Sequence, residues 1–306
     1  MRLPVIDAAE LRRALPMVAA IDALETAFGR SLPSAPLRSR VETPSGSLLL
    51  MPSSSADALG VKLVTLTPAN PGHGLPYIHA VYALFDGATQ APRAILDGAA
   101  LTALRTGAVS GLATRHLALA EASRLVVFGA GVQARSHVEA MRAVRPVERV
   151  TLVSRSVPAA EALVDELVAG GLDAAVGGPD AVADADLVCT CTTSSVPVFE
   201  GMLLAPGAHV NAVGAYTPET RELDDEAIRR SRVAVETREV VMAEAGDLLI
   251  AIRARVVGPD HVVADLAEVV AGARVRRSPA DVTVFVSVGV AFEDLVVARA
   301  AVERLS

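Results

Sequence analysis

Lys62, in "ALGVKLVTLTPANPGHGLPY" (58–77), is the only lysine of this chain; the 28 Lys and Arg residues are 27 arginines and this one amine. It lies between Val61 and Leu63 in an apolar run. A lysine amine is compact, has three donors and loses its proton when desolvated, whereas a guanidinium stays charged. A second arrangement with chemical content is "LVVFGAGVQARSHVEAM". Here an apolar strand runs into Gly129, Gly131 and Ala134 in G-x-G-x-x-A spacing and then into a helix. Gly129 permits the tight turn, Gly131 lets backbone approach a pyrophosphate, and Ala134 lets helix pack on strand. The helix start presents free N–H groups to the anion. At the end of the next strand, "VTLVSRS", Ser154, Arg155 and Ser156 offer donors and a positive charge. An NAD enzyme usually places a carboxylate there for the ribose hydroxyls. Its absence favours NADP(H), with NAD(H) possible.

Composition narrows the classes. With 306 residues there is length for one large or two ordinary domains. The chain is rich in aliphatics, has no tryptophan and carries a formal charge of −7, which gives no footprint for nucleic acid. No apolar run reaches the roughly 18 residues of a membrane span. Asp7, Glu10, Arg12 and Arg13 break any secretory h-region. Cys189 and Cys191 sit two apart in "DLVCTCTTS", too close for an ordinary disulfide and consistent with a reducing cytoplasm. The six histidines show no ligand spacing, so no metal is expected.

The elements that must position these groups follow from pattern. Residues 7–30 predict two helices, with Asp7 as N-cap and Pro16 opening the second. Residues 36–97 predict a mostly antiparallel sheet, with turns at Pro-Ser-Gly and Asp-Gly. A helix rich in small residues spans 101–119, where Gly107 and Gly111 each cost about 1 kcal/mol against alanine. Close approach by backbone or ligand would offset that. From 124 to about 287 strands and helices alternate, which implies a doubly wound parallel sheet. The tail "AFEDLVVARAAVERL" is helical with an apolar face.

Lys62, the "RTGA" helix and the dinucleotide turn, in that order, resemble the ornithine cyclodeaminase and mu-crystallin family over nearly the whole length. The marks are "PLRS", "VKLVT" with "PANPGHGLP", "ILDGAALTALRTGA", the glycine turn, "GAYTPETRELDDE" and "VFVSVGVAFEDL". The resemblance implies a homodimer of two-domain subunits. Residues 1–117 with about 288–306 would form the substrate and dimerisation domain, and 118–287 the Rossmann domain. It also implies that Arg38, Lys62 and Arg105 hold a substrate carboxylate, with Arg40 an alternative to Arg38. A guanidinium grips a carboxylate in bidentate fashion, and "LRTGA" leaves a ligand room to approach Arg105. Thr106, Val132, Gln133, Ser287 and Gly289 join Gly129, Gly131, Ala134 and the "SRS" residues as expected cofactor contacts.

One position departs from the cyclodeaminase pattern. The segment "NAVGAYTPETREL" places Tyr216 where cyclodeaminases carry an activating aspartate. A phenol with an unperturbed pKa near 10 is a poor base at neutral pH but donates a hydrogen bond. That favours the ketimine-reductase branch, with Lys62 as proton donor or relay and Tyr216 or His79 as helpers. Asp224 and Glu222 read as a helix start. The leading expectation is an NADPH-dependent reductase of cyclic imino acids of the pyrroline-2-carboxylate or piperideine-2-carboxylate type. The alternatives are ornithine cyclodeamination, an amino-acid or N-substituted amino-acid dehydrogenase, and an NADPH-binding protein with little turnover.

Overall fold

A computed structural model describes residues 3–305. The chain divides into two compact units, Met1–Arg105 with Val290–Ser306, and Thr106–Gly289.

The first unit opens with a short strand (β1, Val5–Ile6) and two helices (α1, Ala8–Ala14; α2, Met17–Phe28). Asp7 caps α1 through a reciprocal pairing with Glu10, and Pro16 precedes α2, both as the sequence predicts. Five strands follow: β2 (Ser39–Thr43), β3 (Gly46–Ser54), β4 (Ala58–Leu66), β5 (Ile78–Asp86) and β6 (Pro92–Asp97). They run in the order β1-β6-β5-β4-β3-β2, antiparallel throughout except β1 beside β6. Along β3 and β4 burial alternates with the period of two that a sheet covered on one face requires. The inward side, Leu49, Met51, Lys62 and Val64, is packed by the C-terminal helix of the chain (Ala291–Leu305), against which α2 lies. Phe28 and Phe292 meet edge to face there, centroids 5.1 Å apart. On the outward side Leu50, Leu63 and Val81 stand in one cross-strand row, and Val61, Ala83 and Ile95 in the next; all six are half-buried or exposed.

A 20-residue helix (α3, Gly98–Leu117) begins three residues earlier than its pattern suggests, because the Asp97 side chain accepts the Ala100 N–H. Residues 104–114 are all buried, which accounts for the small side chains. The sequence boundary at 117/118 falls at the end of this helix, whereas the units meet at Arg105/Thr106. The reason is that the second half of α3 is bonded into the second unit. Ser110 Oγ lies 3.0 Å from His137 Nε2, and Asn211 donates to Thr114 Oγ1 at 2.9 Å. Arg145 caps the carboxyl end of α3 by donating to the carbonyls of Thr114, Arg115 and Ala118.

The second unit is an eight-stranded parallel sheet. Its elements are β7 (Arg124–Phe128), α4 (Val132–Val144), β8 (Arg149–Val153), α5 (Val157–Ala169), β9 (Asp173–Val176), β10 (Leu187–Thr190), β11 (His209–Ala212), α6 (Asp225–Arg230), β12 (Ser231–Val235), α7 (Arg238–Glu244), α8 (Gly246–Arg253), β13 (Val262–Asp265), α9 (Leu266–Val270) and β14 (Val282–Val286); the C-terminal helix is α10. The strand order is β13-β12-β14-β11-β10-β7-β8-β9, with every pair parallel. The order reverses between β7 and β10, and in such sheets ligands bind outside the carboxyl ends of the strands at that switch point. The short strands β1, β9 and β13 and the helices α7 to α9 were not resolved by pattern alone. Among the described residues no helix is long and apolar enough to cross a membrane, and no His/Cys/Asp/Glu group has a metal-binding arrangement. Both cysteines are free.

Candidate active site

Strand β4 turns Lys62 inward, where it is 1% exposed. Helix α10 meets it with Glu293 and Asp294, acidic residues in the first turn, where the helix dipole favours negative charge. Both are fully buried. Lys62 Nζ lies 2.9 Å from Asp294 Oδ1 and 2.8 Å from Oδ2. Arg105, from α3, places Nη1 3.1 Å from Glu293 Oε2 and Nε 3.3 Å from Asp294 Oδ1. Arg38, in the extended segment before β2, adds its charge to the field at Lys62. The structure thus brings Arg38, Lys62 and Arg105 together and adds two carboxylates to which the sequence pattern gives no role.

Burial pulls the Lys62 amine down to about 8; Asp294 opposes the shift, and Arg105 and Arg38 add to it. A group so placed exchanges a proton near neutral pH, which an ordinary lysine does not. Tyr82 stands directly opposite Lys62 in the β4–β5 register. Its hydroxyl is buried, with no hydrogen-bond partner among the described residues. Burial and the Asp294 charge hold that phenol well above its usual range, so it remains a neutral donor. Tyr82 was also missed. Its signal was alternation, since Lys62 and Tyr82 each sit at an inward position of its strand, and for the acids an adjacent Glu-Asp pair in an otherwise apolar helix face.

In the second unit the glycine turn has the predicted form. Gly129 adopts φ +110°, and a Cβ there would lie 2.6 Å from the Cys191 carbonyl oxygen. Gly131 is the N-cap of α4, and a Cβ added to it meets nothing within 4 Å. Val132 is 62% exposed at the helix start, and Ala134 is fully buried against the sheet. Two buried polar atoms nearby lack partners among the described residues: Gln133 Oε1 on α4 and Thr106 Oγ1 on α3. Each lies one helical turn before a member of the bonded Ser110–His137 pair. Open space at Gly131, free N–H groups at the start of α4 and unspent polar atoms beside it fit a dinucleotide. At the end of β8, Ser154 is half-buried while Arg155 and Ser156 are exposed, and the Ser156 N–H donates to Ser154 Oγ at 3.2 Å.

Tyr216 is half-buried in the loop after β11, at the carboxyl edge of the parallel sheet. Ser287 and Gly289 follow β14 at the same edge, but their donors are spent within the protein. Ser287 Oγ donates to Glu236 Oε1 at 2.6 Å, and the N–H groups of Val288 and Gly289 to Oε2 at 3.0 and 2.9 Å. Of the two acids read as a helix start, Asp224 caps α6 by accepting the Ala227 N–H. Glu222 does not. It is fully buried and bonded to Thr192 and Gly214, because the chain between β11 and α6 folds back under the sheet edge. His79 is exposed on β5, one residue out of phase with the inward positions.

The model of the ornithine cyclodeaminase/mu-crystallin family matches residues 4–306. A Delta(1)-pyrroline-2-carboxylate reductase of Bacillus cereus is 38% identical over 263 residues, 84% of this chain and 81% of that protein. The ketimine reductase mu-crystallin of Rattus norvegicus is 38% identical over 256 residues, 83% and 79% of the two chains. Among solved structures, the Thermococcus litoralis Delta(1)-pyrroline-2-carboxylate reductase in complex with NADH and L-proline superposes with a TM-score of 0.94 at 34% identity, over 99% of this chain and 97% of that one. With the match spanning both units, the chain belongs to the ornithine cyclodeaminase/mu-crystallin family.

Proposed function

We propose that this protein is an NADPH-dependent reductase of small cyclic imino acids of the pyrroline-2-carboxylate or piperideine-2-carboxylate type. The observation that carries the reading is the buried Lys62–Asp294–Arg105–Glu293 cluster, in which one mobile amine is held beside a guanidinium. Arg38 and Arg105 grip the substrate carboxylate. Lys62, steadied by Asp294, holds a proton at the imine nitrogen, which makes the adjacent carbon electrophilic. The reduced nicotinamide, when bound, supplies hydride to that carbon. The C=N π pair moves to nitrogen, and the product is the cyclic amino acid. Tyr216, in place of an acid, donates a hydrogen bond rather than accepting a proton. The relatives named above, reductases of such imines, support the same chemistry.

Gly129, Gly131, Val132, Gln133, Ala134 and Thr106 would hold the pyrophosphate half, with Ser287 and Gly289 on the nicotinamide side. Ser154, Arg155 and Ser156 would take a 2′-phosphate. Arg155 is exposed, with no hydrogen bond or ion pair among the described residues to compete. The apolar outward face of the six-stranded sheet supports a homodimer. Free Cys189 and Cys191 suit a cytoplasmic location.

The test is NADPH and NADH oxidation with both imines, by wild type and Lys62→Arg. Turnover in wild type with NADPH ahead of NADH, falling about 100-fold or more in the variant, is the expected result. No turnover with either imine across a range of pH would refute the reading.

A further inference from the structure

Two buried acids in the second unit belong to no step described so far. Glu222 Oε1 accepts the Thr192 N–H at 2.7 Å and the Thr192 hydroxyl at 2.6 Å, while Oε2 accepts the Gly214 N–H at 2.7 Å. Thr192 follows β10 and Gly214 follows β11, so one carboxylate ties together two loops at the carboxyl edge, beside the switch point. Gly214 is needed for this approach: a Cβ there would lie 2.2 Å from the Thr192 carbonyl oxygen and 2.6 Å from Glu222 Oε2. Tyr216 is two residues further along the same loop.

Asp247, in the first turn of α8, supports Glu222 from behind. Its Oδ1 accepts the N–H groups of Glu222 and Leu223, both at 2.8 Å. The preceding Gly246 has no room for a side chain, because a Cβ would lie 1.9 Å from the Thr220 carbonyl oxygen. The Tyr216 loop is therefore held at both ends, by Glu222 at Gly214 and by α8 at Thr220.

We propose that Glu222 is a positioning residue: its carboxylate braces the loops after β10 and β11, with Asp247 anchoring its main chain, and so fixes Tyr216 at the carboxyl edge. The catalytic consequence rests on the imino-acid reductase reading; the brace itself does not. Burial pushes the Glu222 carboxyl up, while its hydrogen bonds from Thr192 and Gly214 oppose the shift. Burial and the Glu222 charge push Asp247 up to about 7, with Arg221 the opposing cation, and Asp247 Oδ2 has no partner among the described residues. Because that value lies above the ordinary 3.8, the folded state binds more protons than the unfolded one between about pH 4 and 7. Stability therefore falls as pH rises through that window.

The experiment compares wild type, Glu222→Gln and Asp247→Asn. In Glu222→Gln an amide nitrogen faces either the Gly214 N–H or the Thr192 donors, so one tie is lost. Amide exchange should accelerate together in the segments around Thr192 and Gly214, and kcat should fall roughly tenfold or more with KM for imine and NADPH little changed. Asp247→Asn keeps the accepting oxygen and removes the titration. Its Tm should exceed that of wild type at pH 8 by about 2 °C or more and match it near pH 4. Unchanged exchange in Glu222→Gln, or a Tm difference for Asp247→Asn that ignores pH, would overturn the brace. A wild type that reduces neither imine would refute the reductase reading alone, leaving exchange and Tm to decide the brace.

Discussion

A lysine buried against an aspartate sets its own pH signature. With the free enzyme's amine at about 8, kcat/KM for the imine is expected to fall about tenfold per unit above that pH, as the proton on Lys62 is lost. A bound substrate carboxylate adds negative charge near the amine and favours its charged form. The alkaline limb of kcat should therefore lie at higher pH than that of kcat/KM, and steady-state profiles of both check this. Stability should move the other way. The folded value lies below the ordinary 10.5, so between about pH 8 and 10.5 the unfolded chain holds more protons, and stability from this group rises with pH. Lys62 and Arg105 were legible as types, one lysine among arginines and one arginine among small residues. Their partners were not: Asp294 lies 232 positions from Lys62 in sequence, and pairing at that distance is decided by packing rather than by any local pattern. The spent donors of Ser287 and Gly289 were hidden for the same reason, since Glu236 reaches them from just beyond the end of β12.

Among the elements, the turn between β7 and α4 makes the sharpest separation of folding from binding. Gly131→Ala adds a methyl group where nothing lies within 4 Å, at an ordinary φ of −91°. Its Tm should stay close to wild type, whereas NADPH affinity, read by fluorescence titration, should drop about tenfold or more as the methyl takes the space of the pyrophosphate. A variant that binds NADPH as wild type does would remove Gly131 from the cofactor site. This turn could be read in advance because strand, glycine spacing and helix are contiguous. The strongly apolar strands β7, β10, β11 and β14 were equally plain. By contrast β9 has three of four residues exposed and the fourth half-buried, and β13 is four residues long. An edge strand with little to bury leaves little pattern to read.

For the molecule as a whole, the open side of the six-stranded sheet is the feature that most needs a partner. A row of Leu50, Leu63 and Val81 left to water is costly, and a second copy of the same face would cover it. Val81 is 49% exposed, so Val81→Glu should spare the subunit's own core while disfavouring association. Light scattering is expected to show a dimer for wild type and a mass near 31.6 kDa for the variant; a variant that stays dimeric would move the interface elsewhere. Along the sequence, period two gives way to alternating strands and helices. The exchange point inside α3 leaves no such mark, because a continuous helix carries no linker signature.

The burial of the sole lysine has a practical corollary. Amine-directed acylation at Lys62 should be slow in the folded chain, since Lys62 is 1% exposed. An adduct at Lys62 then forms only as fast as its burial against Asp294 is relieved. Counting adducts by mass spectrometry would thus record how often the Lys62–Asp294 pair is breached, with no probe introduced and no side chain changed.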